Sequence, residues 1–62
     1  MNIEFIRGEF EKILVFEERA KAFYDHYIDQ VDNKDIRDQL VSIRNDEVRH
    51  IGVARKLIEY AK

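Results

Sequence analysis

Apolar residues recur along this chain at alternating steps of three and four. In the first half the series runs Ile3, Ile6, Phe10, Ile13, Glu17, Ala20, Tyr24, Tyr27, Val31. In the second it runs Ile36, Leu40, Ile43, Glu47, His50, Ala54, Leu57, Ala61. That period puts each series on one stripe of an α-helix, spaced as in a coiled-coil seam. At Asp32-Asn33-Lys34-Asp35 the pattern breaks into turn formers and helix-capping residues. The spacing predicts a helix over about 2–31, a turn at 32–34 and a second helix over about 35–61, in a single domain spanning 1–62. Asp32 or Asn33 is placed to cap the second helix, and Asp35 falls in its first turn, where the helix dipole favours an acid. No proline interrupts either half; Gly8 costs about 1 kcal/mol against alanine, which a helix of this length tolerates. Two equal helices with a short connection fold back as an antiparallel hairpin.

Only three ionisable residues interrupt the two stripes: Glu17 in the first, Glu47 and His50 in the second. Glu47 and His50 are three apart and project from one helix face. Charged groups on an apolar stripe are costly unless they are paired or bind a metal. Folding the chain about its turn brings all three to one height, midway along the hairpin. Each stripe is also flanked by further apolar residues: Phe16 and Phe23 beside the first, Val41, Val48, Ile51 and Ile58 beside the second. A hairpin alone cannot cover so wide a surface. The pattern therefore predicts an all-α fold, a two-helix hairpin that pairs with a second copy into a four-helix bundle. A twofold dimer doubles the polar level to four carboxylates and two imidazoles.

Composition narrows the field. The chain has 62 residues, near the lower limit for burying a sufficient core alone. Charged residues make up 39% of it, which suits long solvated helices, and cysteine is absent, so no disulfide framework supports it. A net charge of -2 without a basic stripe argues against nucleic acid as the main partner. The longest apolar run, Ile13 to Phe16, is too short to cross a bilayer, and no signal-peptide pattern is read. The location expected from this is the cytoplasm.

Oxygen and nitrogen donors without thiolate suit iron, manganese or zinc and do not choose among them. Four carboxylates neutralise two divalent ions and favour a trivalent oxidised state. Other residues have plainer readings. Glu18 is the alternative to Glu17 as ligand, but it leaves the stripe and reads as solvated or as a residue of a second metal. Tyr24 either orients Glu17 through its hydroxyl or packs as a core aromatic, and Tyr27 reads as core. His26, Glu4, Glu9, Glu11 and Asp46 read as solvated surface, and Arg44, Arg49 and Arg55 as partners for acids.

The stretch Phe16-Glu17-Glu18 through Phe23-Tyr24-Asp25, followed by Arg44-Asn45-Asp46-Glu47-Val48-Arg49-His50, resembles the ferritin-like superfamily. Within it the likeness is nearest to the two-helix encapsulated ferritins, with rubrerythrins further off, and it covers roughly residues 13 to 60. Glu17 stands thirty residues before Glu47, and Tyr24 seven after Glu17, as the corresponding residues do in those proteins. The resemblance implies a dinuclear iron site at a dimer interface, two irons per dimer, with Glu17, Glu47 and His50 of each chain as ligands and catalytic residues and Tyr24 behind Glu17. It implies oxidation of Fe(II) to Fe(III) for iron storage or detoxification. It also implies an encapsulin shell as partner and compartment. The third, shorter helix and the shell-directing C-terminal peptide of that family have no counterpart in these 62 residues, so shell loading and ring-shaped assembly are not carried over. The competing expectation is a non-enzymatic dimerisation module with a structural metal or a buried Glu/His network.

Overall fold

The computed structural model describes residues 2–62. It contains two helices, α1 (Ile3–Gln30) and α2 (Lys34–Tyr60). Each begins on an asparagine. The Asn2 side-chain oxygen accepts from the Phe5 N–H at 2.8 Å, and that of Asn33 from the Ile36 N–H at 3.0 Å. Each asparagine satisfies one of the donors that a helix start leaves free. Of the two residues placed to cap α2, Asn33 does so. Glu4 and Asp35 occupy the first turns, where the dipole favours them.

The turn is fastened by Arg37, which donates to the Val31 carbonyl from Nε at 3.2 Å and from Nη2 at 2.7 Å. At the opposite end Arg7 Nε donates to the Ala61 carbonyl at 3.0 Å. The start of α1 therefore lies beside the end of α2, and the hairpin is antiparallel over its whole length. The rod measures 47 × 14 × 14 Å. No helix among the described residues is long and apolar enough to cross a membrane.

The two long edges of the hairpin differ. One is closed. There Leu14, Lys21 and Ile28 of α1 and Arg44 and Ile58 of α2 are half-buried, and Ile51 is buried. Asp25 accepts from Lys21 Nζ at 2.7 Å and, across the helices, from Arg44 Nη1 at 3.1 Å. The other edge is open and apolar. Ile13, Phe16, Phe23 and Tyr27 of α1 and Ile36, Ile43 and Val53 of α2 are all exposed, Phe16 at 72%. This corrects the stripe assignment: Ile3, Ile13, Tyr27, Ile36, Ile43 and His50 were expected inside, Tyr27 as core, and all six are exposed. The reason is geometric. Each apolar arc is wider than one neighbouring helix can cover, so packing takes one shoulder of the arc and leaves the other bare.

The hairpin consequently has little core of its own. Ile51, Ala54 and Ala61 alone are buried among the described residues. A compact monomer of this mass exposes about 4,200 Å², whereas the hairpin exposes 4930 Å².

Candidate metal centre

The midpoint of α1 falls between Phe16 and Glu17, and that of α2 on Glu47. An antiparallel hairpin closed at both ends must bring those midpoints together, and here it does. Glu17, Glu47 and His50 each offer one ligand atom, and the three atoms lie within 4.8 Å of one another. Glu17 Oε2 and His50 Nδ1 are 3.4 Å apart, on different helices. That is longer than a good hydrogen bond, so the pair is close without being locked.

Burial falls off across the group. The side chain of Glu17 is 24% exposed and that of His50 53%, while Glu47 is half-buried between the helices. His50 stands on the open edge, over a shallow depression lined by Ile13, Glu17, Val53, Ala54 and Leu57. One oxygen of Glu47, Oε2, is buried with no hydrogen-bond partner. An orphaned buried acceptor costs free energy. The neighbouring Glu17 carboxyl, with which Glu47 can share a proton, pushes the Glu47 pKa above its ordinary value of 4.5; burial and the Glu17 charge add to this, and His50 works against it.

These donors fit a first-row divalent metal. Oxygen and nitrogen ligands sit about 2.0–2.2 Å from such an ion, so two ligands of one ion stand about 3 to 4.2 Å apart. The three ligand atoms lie within 4.8 Å of one another, close to that range. Binding would also give the orphaned Glu47 oxygen a partner. Three protein ligands are fewer than a closed site takes, and the group opens toward the bare edge.

Tyr24 is half-buried two turns beyond Glu17, its ring edge-to-face with that of Phe23 with centroids 5.5 Å apart. Glu18 points away from the group toward the closed edge, in a groove with Arg55. His26 is exposed beside Tyr27. Arg44 pairs with Asp25 and Arg49 with Asp46.

One feature of this level was not read from the sequence: the Lys21–Asp25–Arg44 cluster on the opposite edge. Arg44 was expected to partner an acid, and the i, i+4 spacing of Lys21 and Asp25 was a signal, but which acid Arg44 meets required the helix register. Ala54, expected inside from its place in the stripe, is almost fully buried one turn after His50.

No protein-family model, no curated protein and no solved structure matches the chain. The functional reading therefore rests on the residues and their geometry.

Proposed function

We propose that two copies of this hairpin pair through their open edges and complete a dinuclear carboxylate centre at which Fe(II) is oxidised to Fe(III). The observation that carries the reading is the coincidence of three features at one height: the Glu17–Glu47–His50 group, the midpoints of both helices, and the bare apolar edge. A twofold axis perpendicular to the helices must pass through their midpoints if the copies are to overlap along their full length. Placed there, it sets a second Glu17, Glu47 and His50 opposite the first. Stable interfaces bury about 800 Å² per partner, and the exposed residues of the open edge run along most of the rod.

In that dimer Glu17, Glu47 and His50 of each chain would hold the metal. The arrangement, one Glu from each of two helices and Glu-x-x-His from the other two, is the one found in ferritin-like carboxylate proteins. Fe(II) is the substrate. Two ions give up one electron each, either to dioxygen, reduced to hydrogen peroxide, or to hydrogen peroxide, reduced to water. The carboxylates favour the more highly charged ferric product and draw Fe(II) from solution. His50, close to Glu17, would supply a nitrogen ligand at the mouth of the group. Tyr24, two turns on along α1, would act behind Glu17 only if its hydroxyl reached the Glu17 carboxylate in the metal-bound dimer. Iron handling for storage or detoxification follows from this chemistry, and manganese or zinc would fit the same donors.

A second reading has its own support. A proton shared by Glu17 and Glu47, with His50 alongside, makes a metal-free polar network, or a seat for one structural zinc, in a dimerisation module. Anaerobic Fe(II) loading separates the two. Two irons per dimer, uptake of oxygen on exposure to air and a new near-ultraviolet absorbance support the oxidase. A single zinc, or no metal and no loss of stability in Glu47→Ala, supports the module.

A further inference from the structure

Glu17 and His50 belong to different helices, so the distance between their ligand atoms is set by how closely α1 and α2 approach at this height. Helix axes pack 8–10 Å apart according to the side chains at the contact. Beside this height the most buried residue is Ala54. It follows His50 by one turn and Glu47 by two, it is 2% exposed, and it lines the same depression as Ile13, Glu17 and His50.

We infer that Ala54 is a positioning residue that sets the helix separation at the metal centre, and that its small side chain lets Glu17 and His50 close to within coordinating range. This rests on the metal-site reading above, but the geometric claim can be tested without metal. Ala61 provides an internal control. It is as buried as Ala54, at 2% exposure, and lies seven residues on in the same stripe. It contacts the end of the rod, where Arg7 ties the helices together, and is remote from the ligands.

The test compares Ala54→Leu, Ala54→Ser and Ala61→Leu by crystal structures of the metal-free proteins and by Co(II) titration. In Ala54→Leu the gap between Glu17 Oε2 and His50 Nδ1 should open from 3.4 Å to beyond 4.8 Å, and Co(II) affinity should fall at least tenfold. Ala54→Ser, of nearly the parent size, should keep both. Ala61→Leu should keep both as well, even where its melting temperature drops as far as that of Ala54→Leu. If Ala54→Leu does not fold, Ala54→Val carries the same comparison.

An unchanged gap with unchanged Co(II) affinity in Ala54→Leu overturns the inference. Equal losses in Ala54→Leu and Ala61→Leu overturn it too, since burial anywhere along the stripe would then suffice. Should the parent bind no Co(II) while the gap still opens in Ala54→Leu alone, the metal reading fails and the positioning role stands.

Discussion

His50 Nδ1 lies 3.4 Å from Glu17 Oε2, and the two residues come from different helices, connected by a three-residue turn at one end and tied by an Arg7 hydrogen bond at the other. Their meeting is a product of register. Asn33 fixes where α2 begins, Arg37 fastens the turn, and the Asp25–Arg44 pair holds the helices level along the closed edge. The opposite edge, which carries His50, has no such fastening and is apolar. The side of the rod that bears the ligands is thus the side still able to accept another chain.

His50 is therefore the most informative single substitution. Its side chain is more than half exposed, so His50→Ala removes little packing, and circular dichroism should show parent helicity. Co(II) or anaerobic Fe(II) titration should show affinity reduced at least tenfold; loss even of a group that supports a ligand costs about 10- to 100-fold. A variant that binds metal as tightly as the parent would mean the ligand assignment is wrong.

The open edge carries a second expectation. The parent should sediment as a dimer at micromolar concentration. Ile13→Lys puts a charge into the middle of the proposed contact and should weaken self-association by about 2 kcal/mol or more, roughly thirtyfold. Lys56→Ala, on the far side of α2, should leave it unchanged. Metal stoichiometry should fall together with dimerisation in Ile13→Lys. Full metal binding by a monomeric Ile13→Lys protein would remove the argument for a shared centre.

Much of this arrangement was legible in the residues alone. The three–four spacing of Ile3 through Val31 and of Ile36 through Ala61 could only be helical, and Asp32 to Asp35 could only be a break. The height shared by Glu17, Glu47 and His50 followed from counting out from that break. Periodicity did not say which shoulder of each arc would be covered. Ile43 and Ile51 are equally apolar and both flank Glu47, yet Ile51 is buried and Ile43 exposed. The choice depends on side-chain volumes across the helices and on where Asp25 meets Arg44, neither of which a one-dimensional pattern encodes. Tyr27 was misread for the same reason.

The glycines offer a test of the helical scaffold apart from its site. A methyl group added at Gly8 or Gly52 would meet nothing within 4 Å, and both positions are helical. Neither turn geometry nor close approach within the chain calls for glycine there. Gly8→Ala and Gly52→Ala should each stabilise the fold by about 0.5–1 kcal/mol, or about 4 °C in melting temperature for so short a chain. The gain should appear with and without metal. A loss at Gly52 confined to concentrated samples would instead reveal a chain packed against that face.

Finally, the two perturbed carboxyls make the metal-free protein respond to pH in opposite directions. Asp25 has its pKa lowered below the ordinary 3.8, first by the Lys21 hydrogen bond, with Lys21 and Arg44 charges assisting. Its folded form binds fewer protons than its unfolded form, so the stability it contributes is complete above 3.8 and is lost as pH falls through the lowered value. Glu47 is raised above 4.5 by Glu17 and by burial. Its folded form binds more protons than its unfolded form, so its contribution is complete below 4.5 and is lost as pH rises through the raised value. Melting temperature measured against pH should therefore lose its acid-side slope in part in Asp25→Asn and its alkaline-side decline in part in Glu47→Gln. Saturating Co(II) should reverse the Glu47 side in the parent, because a metal needs the ionised carboxylate and binds more tightly as pH rises. In Glu47→Gln that reversal should shrink. A parent protein whose stability above pH 4.5 is indifferent to both Co(II) and Glu47→Gln would show that Glu17 and Glu47 do not share the centre.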